Sequence, residues 1–316
     1  MKIVHVDTAT EWRGGQRQLQ LLAQGLAERG HEQELVCVPQ SPLAQAMSWL
    51  PQRAARPGND PRNLPLFARL EGQVLAAHTS HAHGLLVLAG QRPVVHRRVD
   101  FAVSGGPKYR RARGYVCVSE AVVEVLARCG VPRERCEVVY DGVEALPPEP
   151  PAQLGGGPVV LAVGALVDHK DHATLARAAE GLEARVLVAG EGPLRSQLEG
   201  SALELLGQRS DVAALHARAS VFVHSSKEEG MGQAVVEALL SGLPVVATAA
   251  GGVPELLDGV GMLVPVGDAE ALRAALRRAL EGQHASSEAC IERGRRFSVE
   301  RMVRATEAAY WRFSDS

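Results

Sequence analysis

The sequence predicts an α/β chain of two Rossmann-like domains, each a doubly wound parallel sheet, and three observations carry that expectation. The chain opens as strand, glycine turn, helix, strand. The second half repeats strand–helix alternation, with spacings that suit βαβ units. Between the halves lies PPEPPAQLGGGP (147–158), a Pro/Gly-rich stretch that reads as a stiff linker. A length of 316 residues suits about two domains of ordinary size.

Taken in order, Ile3–Val6 reads as a short buried strand, followed by a polar turn that ends in Gly14 and Gly15. Leu19, Leu22, Ala23 and Leu26 then fall at i, i+3, i+4, i+7, which predicts a helix from about Gln16 to Glu28, ended by Gly30. Glu34–Val38 is the next strand. No GxGxxG follows the first strand, so a nicotinamide cofactor is not supported there. Residues 51–65 carry four prolines and read as an irregular connection, and 66–77 reads as a helix leading to the strand end TSHAH (79–83). Val94–His96, Tyr115–Val118 and Val138–Val139 read as strands, with Ser119 capping a helix over Glu120–Arg128. After the linker, strands are expected at Val159–Val163, Arg185–Ala189, Val221–His224 and Val245–Ala247. Helices are expected near 174–181, 194–206, 232–240, 270–281 and 299–313. The extents follow as a first domain at 1–146, the linker at 147–158 and a second domain at 159–298. The C-terminal helix (299–316) is expected to pack back on the first domain, and the cleft between domains is the default binding site.

Composition narrows the class. The chain is 46% hydrophobic and 22% charged, which allows a sizeable core, and a net charge of −2 gives no reason to expect nucleic acid. Only Lys2, Lys108, Lys170 and Lys227 stand among 34 basic residues, so a lysine inside a motif draws notice. Five scattered cysteines without CxxC spacing argue for a reducing compartment and against structural zinc. With no signal-type or membrane-spanning apolar run, the expected location is cytoplasmic, peripheral at the inner face of the plasma membrane if the basic run described below meets lipid.

The most informative stretch is SSKEEGMGQAVVEALL (225–240). Glu229 and Glu237 bracket a Gly-Met-Gly turn that opens an apolar helix. A carboxylate among such neighbours is costly to bury unless hydrogen-bonded. Either the helix has one wet edge, or Glu237 meets a polar partner the chain does not supply. Gly230 and Gly232 let backbone approach a ligand, and free N–H groups at the helix start suit oxygen-rich or anionic partners.

These motifs resemble family 4-type glycosyltransferases of the GT-B fold, the glycosyl transferases group 1 with an E-x7-E element. The second domain carries the resemblance in VGALVDHK (163–170), VLVAGEGPLR (186–195), the run 221–248, GGVPELL (251–257) and GMLVPVGD (261–268). In the first domain GGQRQ, HAHG (81–84), VCVSEAV (116–122) and YDGV (140–143) fit more loosely. The resemblance implies a retaining transferase that moves a sugar from a nucleotide-diphosphate sugar to a hydroxyl acceptor by front-face displacement. It implies no cofactor and no metal, since lysine, arginine and helix ends would take the metal's electrostatic part. Glu237 would accept the donor ribose hydroxyls. Glu229 would hold hydroxyls of the transferred sugar, with Gly230, Met231, Gly232 and Gln233 close by. Lys170 would neutralise the diphosphate, Gly14 and Gly15 would let backbone close on the phosphates, and His83 would face the reacting centre.

The sequence also departs from the family. Ala165 stands where an arginine commonly shares the diphosphate, and Lys227, His169 or Arg13 are the candidates to replace it. Met231 replaces an aromatic, and Gln233 a more apolar residue. His169 and His172 have the spacing of a metal pair but read better as polar residues at a helix start. GEGP (190–193) looks like a phosphate loop, yet Pro193 removes an N–H, so it reads as a strand-to-helix turn lining the donor site. Arg92–Arg113 holds seven basic residues, among them Arg97, Arg98, Lys108, Arg110 and Arg111, against Asp100. That run is either a solvated surface or a site for an anionic acceptor or anionic membrane. Cell-envelope glycan or glycolipid assembly is the expected setting. The alternatives are a nucleotide-sugar epimerase or hydrolase of the same fold, and a GT-B-like scaffold that has lost catalysis.

Overall fold

The computed structural model describes residues 1–101 and 106–314. By its contacts the chain divides into two compact units, one of Met1–Gly142 with the C-terminal segment from Val299, the other of Val143–Ser298.

The first unit is built on strands β1 (Lys2–Val6), β2 (Glu32–Cys37), β3 (Gln52–Ala54), β4 (Val74–Ala77), β5 (Val94–Arg97), β6 (Gly114–Cys117) and β7 (Cys136–Val138). They form one parallel sheet in the order β3-β2-β1-β4-β5-β6-β7, so the winding reverses between β1 and β4. Ile3, Val74, Ala76, Val94 and Val116 from the sheet pack with Leu22 and Leu26 of the helix Gly14–Glu28. Met302, Val303, Tyr310 and Phe313 of the C-terminal helix Val299–Ser314 join the same core. Gly114 allows that docking, because a Cβ there would lie 2.5 Å from the Phe313 ring.

The second unit carries β8 (Val159–Val163), β9 (Arg185–Ala189), β10 (Leu203–Gly207), β11 (Val221–His224), β12 (Val245–Thr248) and β13 (Met262–Val264). Their parallel order is β10-β9-β8-β11-β12-β13, with the reversal between β8 and β11. Val160, Ala162, Val186, Val188, Val221 and Val223 are the sheet's share of a core completed by the helices His172–Ala179 and Ala269–Leu280. Each sheet is thus the doubly wound class the sequence predicts, and ligands of such sheets bind beyond the strand carboxyl ends at the reversal.

Two expected helices fail. Residues 66–77 hold a short helix, Leu64–Phe67, and then β4, a run of four buried apolar residues paired with β1. An apolar run this short is helix or central strand by periodicity alone, and here the pairing with β1 decides. Residues 194–206 hold the helix Arg195–Leu198 and then β10, because Gly200 at φ +78° turns the backbone out of the helical path. The Pro/Gly stretch 147–158 forms neither helix nor strand. It is tied down within the second unit by Arg218 Nη2, which donates to the Gly155 and Gly157 carbonyls at 2.7 Å, and by Ala152 N to Ala214 O at 3.0 Å.

Candidate active site

At the reversal point of the second unit, the loop after β8 and the loop after β11 are stitched together. Lys227 N donates to His169 O at 2.8 Å and Ser225 Oγ to Lys170 O at 2.9 Å. Thr248 Oγ1, at the end of β12, donates to Ser226 O at 2.6 Å and holds the second loop from its other side. This backbone mesh delivers Lys170 Nζ to the Glu229 carboxylate in a direct ion pair, both side chains being largely buried. The same oxygen, Oε2, also meets His224 Nε2 at 3.0 Å and Ser226 Oγ at 3.4 Å. Burial pushes the Glu229 carboxyl up, but the hydrogen bond and charge of His224 and the charge of Lys170 outweigh it. The pKa settles at about 2, so Glu229 is ionised at neutral pH.

Beyond Glu229, Gly230 and Met231 are buried, and Gly232 takes φ +102°, a left-handed conformation that favours glycine over any side chain. That residue caps the helix Gln233–Leu240. Of the two alternatives for this helix, the wet edge is what the structure has. Gln233, Ala234, Glu237 and Leu240 form a half-buried stripe, while Val235, Val236, Ala238 and Leu239 are buried. Glu237 therefore reaches the surface on the same helix whose N-terminus follows Glu229.

The Gly164–Leu166 turn after β8 packs on the turn after β9. A Cβ at Gly192 would lie 2.5 Å from Leu166 O, and one at Gly190 would overlap Gly164 O. Gly190–Gly192 is thus a backbone cradle pressed against the Lys170 loop, as its reading as a strand-to-helix turn implies. His172 starts the helix His172–Ala179, capped by Asp171, and its Nε2 meets the Ala165 carbonyl at 3.2 Å. Of the candidates to replace the arginine absent at Ala165, Lys227 lies 3.3 Å from Asp168 and 3.7 Å from Asp171, and Arg13 pairs with Glu11. Among the described residues, no group of three or more His, Cys, Asp or Glu side chains is arranged to hold a metal ion.

In the first unit, Gly14 and Gly15 begin the helix after β1, and the space beyond the Gly15 Cα is open. His83 lies in the second turn of the helix Ser80–Leu88, capped by Thr79, and not at a strand end. It is buried edge-on against Tyr109 and Tyr115, and Nε2 donates to Lys108 O at 3.1 Å. Burial lowers its pKa to about 4, so the ring is neutral at pH 7. The basic run divides. Arg98 is largely buried and paired with Asp141 at 3.0 Å, which removes it from any acceptor surface. Arg97 Nη2 donates to Phe101 O at 2.8 Å and Lys108 Nζ to Ser80 Oγ at 3.2 Å, whereas Arg110 and Arg111 are exposed. The residues between Phe101 and Gly106 lie outside the described residues.

His224 and Ser226 contact Glu229 in the candidate site, and the sequence reading did not single them out. The available signal was position, since His224 is the last residue of a strand beside the reversal of the sheet.

Residues 12–145 match the family model described as Glycosyltransferase Family 4, and residues 157–282 match that described as Glycosyl transferases group 1. A GDP-mannose-dependent alpha-mannosyltransferase of Mycobacterium tuberculosis is 32% identical over 175 residues, 51% of this chain and 46% of that protein. A putative colanic acid biosynthesis glycosyltransferase, WcaL, of Salmonella typhimurium is 28% identical over 301 residues, 80% of this chain and 74% of its own. Among solved structures, Anabaena Alr3699/HepE in complex with UDP superposes with a TM-score of 0.82 at 20% identity, covering 99% of this chain and 100% of that one. Two successive stretches of the chain thus match glycosyltransferase family models, and the fold is that of GT-B structures. The chain spans about half the length of several of the curated relatives it matches.

Proposed function

We propose that the protein is a retaining glycosyltransferase that moves a sugar from a nucleotide-diphosphate sugar to a hydroxyl acceptor, in the synthesis of a cell-envelope glycan or glycolipid. The observation that carries the reading is the Lys170–Glu229 pair at the reversal of the second sheet, directly ahead of the helix that bears Glu237. In this reading Glu237 accepts the ribose hydroxyls and ionised Glu229 accepts hydroxyls of the transferred sugar. Gly230, Met231, Gly232 and Gln233 bring backbone to the donor. Lys170 stabilises the charge that grows on the leaving diphosphate, together with the positive end of the helix dipole, so that no divalent cation is required. A leaving phosphate oxygen helps take the acceptor proton. His83, neutral and with Nε2 committed to a carbonyl, contributes a polar group rather than a proton. Names of relatives support the setting: a lipopolysaccharide core biosynthesis glycosyltransferase of Rhizobium meliloti is 30% identical over 186 residues.

The experiment is release of nucleoside diphosphate from UDP-, GDP- and ADP-sugars, with and without acceptors, in the presence of a chelator. Acceptor-dependent release with retained anomeric configuration is the expected result. Acceptor-independent turnover of the nucleotide sugar, by release or by conversion of its sugar, indicates a hydrolase or epimerase, and binding without turnover a scaffold. Preference for an anionic acceptor or an anionic vesicle over a neutral one is expected if Arg97, Lys108, Arg110 and Arg111 receive it, and no preference removes that role.

A further inference from the structure

The imidazole of His224 is 4% exposed, and its Nε2 makes two polar contacts with groups that also meet each other. Nε2 stands 3.0 Å from Glu229 Oε2 and 2.9 Å from Ser226 Oγ, and Ser226 Oγ stands 3.4 Å from the same Oε2. The charges leave one tautomer. An unprotonated Nε2 would aim its lone pair at an anionic oxygen 3.0 Å away, so Nε2 carries the proton and donates. Ser226 then accepts from the ring and turns its own hydrogen toward the carboxylate. The backbone that carries both groups is fixed by Thr248, whose hydroxyl donates to His224 O at 3.3 Å and Ser226 O at 2.6 Å.

Lys170 alone does not define where the carboxylate points. An ammonium is a compact charge with rotatable donors, and a carboxylate can follow it through a range of torsions. A ring donor on a rigid strand end supplies the second fixed point. We propose that His224 is a positioning residue: its Nε2–H, with Ser226, pins one oxygen of Glu229 and so fixes the orientation in which that carboxylate meets the sugar of the donor. The inference rests on the reading of Glu229 as a ligand of the transferred sugar. It adds a specific consequence: the sugar half of the donor is sensitive to His224 and the nucleotide half is not.

Two variants separate this from a packing role. His224→Leu fills the buried site and removes the donor, and His224→Gln restores a neutral N–H near the Nε2 position. With the nucleotide sugar that wild type turns over, His224→Leu is expected to lower kcat/KM about 10- to 100-fold, the range for losing a hydrogen bond to a charged group. Its Kd for the matching free diphosphate (UDP, GDP or ADP) is expected to stay within about 3-fold of wild type, and His224→Gln to recover most of the lost kcat/KM. Equal weakening of diphosphate and nucleotide sugar, with no recovery in His224→Gln, would overturn the proposal. The tautomer is read independently by histidine 15N NMR without any ligand. An Nε2–H resonance that moves in Glu229→Gln is expected, and an Nδ1–H tautomer overturns the inference. If wild type binds none of the three diphosphates, the donor reading falls while the NMR arm still decides whether His224 orients Glu229.

Discussion

The two units reverse their winding in the same way and place opposite chemistry at the reversal. In the second unit the group at the strand ends is an ion pair, Lys170 with Glu229, whose carboxyl is held at about 2. In the first unit the sheet and the helix Ser80–Leu88 hold histidines driven toward neutrality by burial. His5 and His83 are lowered to about 4, and His78 and His96 well below the usual imidazole value. Gln33 Oε1 receives His5 Nε2–H at 3.0 Å, which leaves His5 Nδ1 to accept from His78 Nε2 at 3.1 Å. Gln33 Nε2 donates to Ala23 O at 2.9 Å, which fixes the amide orientation. One reversal carries a charged pair with a lysine in it. The other holds buried neutral imidazoles beside the Arg98–Asp141 ion pair, so topology alone assigns no chemistry.

The largest effect is expected where the charge is. Lys170→Ala should lower turnover about 10²–10³-fold, as for loss of one preorganised charge-stabilising donor. Steady-state assay with the preferred nucleotide sugar measures it, alongside a melting curve that confirms folding. A rate near wild type would mean that another cation carries the diphosphate. Lys227 is then the first to test, since its ion pairs among the described residues are with Asp168 and Asp171 and it lies in the same stitched loop.

How much of this was legible in the sequence follows the same division. Glu229, Glu237 and the glycines between them are close in sequence, and local spacing displays them. β8, β9 and β11 are continuous apolar runs, so they read at their observed bounds. β10 does not, because Leu203 and Leu205 also suit the end of a helix until Gly200 is seen at positive φ. The first unit's network was invisible for another reason. Arg98 meets Asp141 across 43 residues and His96 meets Tyr310 across 214, and nothing in the composition of either segment announces the partner. His224 lay between these cases, next to a motif but outside its spacing.

An intermediate effect is expected from acid. A histidine held neutral in the fold but free to protonate when unfolded makes the unfolded state bind more protons, so stability falls as pH drops below about 6.5. For His5, fully buried and lowered to about 4, the loss by pH 4 is on the order of 3 kcal/mol. His216 in the second unit, also lowered to about 4, acts in the same direction. Glu229 behaves oppositely in range: its stabilisation is complete above about 4.5 and lost only as pH approaches 2. Urea unfolding at pH 7.5, 5.5 and 4.5 should therefore show a decline already between the first two values, reduced in His5→Gln. A flat profile down to 4.5 would mean that the histidines take up protons within the fold.

The smallest effect probes one link of the neutral network. Arg98 Nη2 donates toward His96 Nδ1 at 3.4 Å, so His96 carries its proton on Nε2 and gives it to the Tyr310 hydroxyl at 2.6 Å. Both rings are buried, and Tyr310 comes from the C-terminal helix, so this bond fastens that helix to the end of β5. Tyr310→Phe keeps the ring and its packing and removes only the acceptor, leaving a buried N–H without a partner. A loss of about 1–2 kcal/mol is expected by urea unfolding, with hydrogen exchange rising first in Val299–Ser314. Because the His96–Tyr310 bond joins two neutral groups, that loss should be nearly independent of salt, whereas the effect of Lys170→Ala on diphosphate binding should weaken as salt screens the charge. Equal salt dependence in the two measurements would show that the reversals differ less than their hydrogen bonds imply.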